Sequence, residues 1–137
     1  MLLQFPRALP RVLLSAAATS RAGRLQFFAA MPQGLPDHLQ DMASELSAGE
    51  AQLLDVREPA EMANGMLECA EPAPLSALQD GVRPAADEAK RTYLHCAAGI
   101  RVHPASAILQ SMGYTDVVPL QEGFSSLKEL GFELKTR

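Results

Sequence analysis

Only two cysteines, Cys69 and Cys96, occur in the 137 residues. Two thiols far apart in a domain of this size make no disulfide scaffold. Neither CxxC nor HExxH spacing is present and the three histidines are scattered, so nothing points to a metal site. No apolar run approaches the roughly 18 residues of a membrane-spanning helix, and no membrane role is expected. Tryptophan is missing and aromatics make up 5%. With 47% hydrophobic and 20% charged residues, the composition is otherwise that of an ordinary globular domain. The length suits one domain with a real core.

Acid is missing from residues 1–36, which carry Arg7, Arg11, Arg21 and Arg24. From Asp37 onward there are 8 basic and 16 acidic residues, a net charge of −8. That sign is wrong for nucleic acid, which wants a basic face. The leading segment is rich in Ala, Ser and Leu, with Pro6, Pro10, Pro32 and Pro36 scattered through it. Arg-rich, Ser-containing and acid-poor is the composition of an organelle transit peptide. The apolar run at 12–18 is short for a secretory signal and arginines follow it closely. Residues 1–34 are therefore expected to be a disordered transit peptide for mitochondrion or chloroplast, with a plain cytoplasmic extension as the alternative. Residues 35–137 are expected to form the domain.

Along that domain, short apolar runs alternate with helical patterns. Asp37 is placed to cap a helix over His38–Ser47, with Leu39, Met42, Ala43 and Leu46 on one face and Gly49 ending it. Gln52–Val56 suits a buried strand, broken by Arg57-Glu58-Pro59, and Pro59 opens a short helix through Ala63. Met66–Pro74 reads as loop or edge strand, and Leu75–Leu78 and Pro84–Lys90 as helical pieces. Thr92–His95 is a second strand and Cys96–Arg101 a loop. Pro104–Met112 is a helix closed by Gly113, Asp116–Leu120 a third strand, and Phe124–Leu130 a last helix opened by Gly123. Alternation of this kind predicts an α/β fold, a parallel sheet with helices on both faces.

In such sheets ligands bind where strand C-termini meet helix N-termini, and Cys96 sits at one of these junctions. A loop of Cys96, Ala97, Ala98, Gly99, Ile100 and Arg101 curling there can aim several N–H groups inward. Helped by the helix dipole, it makes an anion cradle. A thiolate at its centre should have a lowered pKa. Gly99 permits unusual backbone angles, Ala97 and Ala98 leave the mouth open, and Arg101 supplies positive charge. Taken alone, a cysteine ending a buried strand is core packing. The loop context turns that reading toward chemistry.

The run Leu53-Leu54-Asp55-Val56-Arg57-Glu58-Pro59-Ala60-Glu61, then Gly65, Ala70 and Pro74-Leu75, resembles the rhodanese N-terminal signature. His95-Cys96-Ala97-Ala98-Gly99-Ile100-Arg101 is similar to the rhodanese active-site loop. Gly113-Tyr114, Val117 to Leu120, Glu122-Gly123-Phe124 and Leu127 match its C-terminal pattern. The resemblance spans about residues 37–134. It implies a single-domain rhodanese-like sulfurtransferase in which Cys96 takes sulfane sulfur from a donor as a persulfide. The sulfur then passes to a thiol or cyanide acceptor, with no cofactor. The donor is a small molecule or a protein, and the oligomeric state is open. Asp55 and Arg57, at the end of the first strand, are placed to brace the loop, or to form a structural salt bridge.

Three departures bear on this. Met66-Leu67-Glu68-Cys69 replaces a His-Ile-Pro-Gly run, which puts substrate access in question, and Cys69 is weighed as a resolving thiol against a buried structural one. Ala97 and Ala98 replace charged residues that often help bind thiosulfate, which favours a persulfide donor. His103 is placed near the loop, with a solvated helix-start histidine as the alternative; His38 and His95 receive no role. A cysteine phosphatase or arsenate reductase is a competing reading, but those enzymes need arginine six residues after the cysteine, where Val102 stands. A non-catalytic interaction module on the same scaffold is the other alternative.

Overall fold

The computed structural model describes residues 31–136. Most of the expected leader, 1–30, lies outside the described residues. The elements in chain order are α1 (Asp37–Ala48), β1 (Ala51–Asp55), α2 (Pro59–Met62), β2 (Ala70–Pro72) and α3 (Leu75–Gln79). They continue with β3 (Arg91–His95), α4 (Val102–Ser111), β4 (Val117–Pro119) and α5 (Phe124–Glu129). The four strands form one parallel sheet in the order β2-β1-β3-β4.

Side chains alternate across a strand, so each strand feeds two cores. Ala51 and Leu53 of β1 and Tyr93 of β3 face a cluster completed by Leu39 and Met42 of α1 and Leu127 of α5. Leu54 and Leu94 face the other way, against Leu78 of α3 and Ala105 and Leu109 of α4. The sheet is thus covered on both faces, as the alternation predicts. Among the described residues no helix is long and apolar enough to cross a membrane.

Two expectations are corrected. Pro36, not Asp37, occupies the N-cap of α1, and Asp37 is its first helical residue, where its charge still complements the helix dipole. Pro84–Lys90 forms turns rather than a helix. The Gln52 side chain bonds both the N–H and the carbonyl of Asp87, at 3.0 and 2.6 Å, and so takes up the backbone groups a helix would use. Met31, ahead of the expected domain start at 35, is 7% exposed and packs in the α1-side core.

Candidate active site

β3 delivers Cys96 to the C-terminal edge of the sheet, and α4 begins at Val102. Between them the loop wraps the sulfur. Gly99 donates its N–H to Cys96 Sγ at 3.1 Å. Burial pushes the Cys96 thiol up, but hydrogen bonding from the loop backbone at Ala98, Arg101, Gly99 and Val102 outweighs it, leaving the pKa below the ordinary thiol value. Ala97 and Ala98 are exposed and Ile100 is 72% exposed, so the loop's own side chains put no charge at the mouth.

Two glycines make this shape possible. Gly99 has φ +79°, and a β-carbon there would meet Gln121 O at 2.5 Å. Gly123 approaches from the β4–α5 turn, and a β-carbon on it would overlap the Ala97 carbonyl. The neighbouring Phe124 N–H donates to Cys96 O at 2.8 Å, which ties the start of α5 to the cysteine backbone. In the sequence Gly123 appears as a helix opener and as part of the C-terminal family pattern, without a link to the cysteine loop. Its contact with the loop depends on β4 lying beside β3.

Beneath the loop, β1 and β3 pair so that Asp55 and His95 are register partners. Asp55 is fully buried and holds Arg57, whose Nη2 donates to Asp55 Oδ2 at 2.8 Å and to Gly65 O at 2.7 Å. The guanidinium lies 3.9 Å over the Phe124 ring. His95 stacks on the same ring, with centroids 6.3 Å apart. Its Nδ1 lies 3.4 Å from Cys96 O, and its Nε2, 3.7 Å from Asp55 Oδ2, has no hydrogen-bond partner among the described residues. Burial lowers the His95 pKa, so the ring is held neutral. Asp55 and Arg57 therefore form a buried salt bridge under the site, one of their two expected roles. His95, which sequence reading passed over, completes that layer.

Arg101 is not free. Its Nη1 and Nη2 reach Glu61 Oε2 and Oε1 at 2.7 and 2.8 Å. Hydrogen bonding from Arg101 holds the Glu61 carboxyl down to about 2. In the sequence Glu61 appears only as the end of the Leu53–Glu61 signature run, and its partner lies forty positions away in the chain. Val102, the position a phosphatase would need as arginine, is fully buried among apolar residues.

The remaining candidates stand apart. Cys69 packs against the α1-side core and Cys96 in the α4-side core, and burial pushes the Cys69 thiol up to about 12. A thiol on the other side of the sheet and protonated at neutral pH is a poor resolving partner. The departing segment Met66–Cys69 is strapped by the chain end, with Glu68 N–H bonded to Glu133 O at 2.7 Å and Lys135 N–H to Met66 O at 2.8 Å. His103 is exposed, and His38 pairs with Glu122 at 2.8 Å.

Comparison with known proteins agrees with this architecture. The rhodanese-like domain profile matches residues 38–130. An uncharacterized protein of Bacillus subtilis (strain 168), YqhL, is 35% identical over 95 residues, covering 68% of this chain and 72% of that one. A rhodanese-like domain protein from Staphylococcus aureus is similar in structure, with a TM-score of 0.58, 26% identity, and coverage of 73% and 94%. The human single-domain sulfurtransferase TSTD1 shares the fold, with a TM-score of 0.58, 24% identity, and coverage of 66% and 92%. The parallel sheet, the loop between β3 and α4 and the sequence match from 38 to 130 together place this chain in the rhodanese-like domain family.

Proposed function

We propose that this protein is a sulfurtransferase that carries sulfane sulfur as a persulfide on Cys96, from a donor (thiosulfate or another persulfide) to a thiol or cyanide acceptor. The observation that carries this reading is the Cys96 sulfur at the strand end, held by the Gly99 N–H at 3.1 Å in a loop whose backbone N–H groups keep its pKa below the ordinary thiol value. Fixed dipoles stabilise the attacking thiolate and the persulfide anion alike, with no reorganisation between the two. Cys96 is the nucleophile, Ala97 to Arg101 the binding loop, and Asp55 and Arg57 the support beneath it. In the second half-reaction a thiol or cyanide attacks the outer sulfur, and the Cys96 thiolate leaves with the bonding pair. The ring closes one residue earlier than an arginine six positions on would allow, which favours a single sulfur atom over a tetrahedral oxyanion.

Incubation with a sulfane donor followed by intact-mass measurement tests the reading. A one-sulfur increase mapped to Cys96 and lost on adding cyanide supports it. No adduct with any donor overturns it in favour of an interaction module. The acid-free leader supports import into mitochondrion or chloroplast; a reporter fused to residues 1–34 that stays in the cytoplasm refutes that part.

A further inference from the structure

Arg101, the last residue of the Cys96 loop, pairs with Glu61 of α2. The contact is fork on fork, two nitrogens on two oxygens at 2.7 and 2.8 Å. Glu61 is also held from its own helix start, since Oε2 accepts the Glu58 N–H at 2.9 Å. Both side chains are about one-third exposed, at 32% and 35%, so the pair is open to solvent at the end of the loop. Hydrogen bonding to Glu61, with negative charge on Cys96 and Glu58 nearby, raises the Arg101 pKa and keeps the guanidinium charged. The other arginine at this end of the sheet, Arg57, is buried on Asp55. Both arginines are thus committed to carboxylates, and the exposed loop side chains, Ala97, Ala98 and Ile100, are neutral.

We infer that Glu61 sets the donor class. By holding the Arg101 fork it turns the site away from divalent oxyanion donors such as thiosulfate and toward persulfides of low charge, R–S–SH. The inference rests on the sulfurtransferase reading and names its donor. In the step, the Cys96 thiolate attacks the outer sulfur of R–S–SH. The bond between the two donor sulfurs breaks, R–S⁻ leaves with the electron pair, and Cys96 carries the S–SH group. The sulfane sulfur changes partner with no net oxidation, so no further oxidant is consumed. With thiosulfate the leaving group is sulfite, and two negative charges have to enter beside Glu61 and Glu58.

The test compares kcat/KM for sodium thiosulfate and for hydroxyethyl persulfide in the full chain, in Glu61→Gln and in Glu61→Asp. The thiosulfate-to-persulfide ratio is expected to rise at least about tenfold in Glu61→Gln, ~1.4 kcal/mol, and to stay near wild type in Glu61→Asp, which keeps the charge. Thiosulfate turnover by the wild type should increase with ionic strength, because salt screens like charges, and that slope should reverse in Glu61→Gln. A merely structural contact would not reverse a salt slope. An unchanged ratio in folded Glu61→Gln, or wild-type thiosulfate turnover that falls with salt, overturns the inference. The second readout needs no variant. A persulfide carried on the cysteine of an unrelated protein, run alongside, tells a protein donor from a small one by the faster rate, and either outrunning thiosulfate supports the inference. If no donor leaves sulfur on Cys96, the sulfurtransferase reading itself has failed, a result distinct from an unchanged ratio.

Discussion

Gly123 lies so close to Ala97 that a β-carbon on it would stand 2.6 Å from the Ala97 carbonyl carbon. The obstacle is backbone, which cannot rotate aside as a side chain would. The turn before α5 therefore serves as a mould for the cysteine loop.

Gly123→Ala is expected to force the two backbones apart, costing about 1–3 kcal/mol of stability as overpacking does and reducing persulfide formation on Cys96. Chemical denaturation and the intact-mass assay measure the two effects. Wild-type values for both would show that the loop does not depend on this contact.

The two thiols should separate by pH. With a small alkylating reagent, Cys96 should reach half-maximal rate below the ordinary thiol range near 8.5, because four N–H groups favour its anion. Cys69, pushed up to about 12 by burial, should stay unmodified across that range. Peptide mapping of the alkylated protein at each pH distinguishes them, and modification of Cys69 first would contradict the assignment.

Acid stability should fall in two windows. The His95 pKa is lowered in the folded state, so below the ordinary value of 6.5 the unfolded chain binds a proton the fold excludes, and stability drops as pH falls. The Glu61 pKa is lowered from 4.5 to about 2, so its contribution is present above 4.5 and is lost between 4.5 and 2. Denaturation series for His95→Asn and Glu61→Gln should flatten the upper and lower windows respectively; the same pH slopes in the variants as in the wild type would refute it.

Asp55→Asn leaves the Arg57 guanidinium buried without its counter-ion. Removing one partner of a buried pair costs about 3–5 kcal/mol, so this change is expected to destabilise far more than Glu61→Gln at the half-open rim. Midpoints of urea unfolding for the two variants give the comparison, and equal losses would mean that the buried pair is replaceable.

At the start of the domain, Leu35 is 5% exposed and Met31 7%. Leu35→Ala should cost about 2–5 kcal/mol, and a chain beginning at Asp37 should be less stable than one beginning at Met31. Matching melting temperatures for those two chains would restore the boundary at 35.

Much of the candidate site was legible because it is local. Cys96, Gly99 and Arg101 sit within six residues, at a strand end read from Thr92–His95, and the helix stripe of Ala105 and Leu109 followed directly. The three principal strands emerged from short apolar runs, and the ambiguous Met66–Pro74 stretch contained the edge strand β2. Pro84–Lys90 misled because Asp87 exchanges two hydrogen bonds with the side chain of Gln52, a residue far earlier in the chain.

By itself the sequence determined where the candidate cysteine loop lies, its length and the alternating elements, since propensity, capping and spacing act over a few residues. The tertiary structure alone decided what those residues touch. Parallel pairing of β1 with β3 set His95 beside Asp55, and β4 beside β3 brought Gly123 under Ala97. The approach of α2 to the loop gave Arg101 to Glu61. Charge at the mouth follows from that last contact, and a pairing across forty residues leaves no periodic trace in a single sequence.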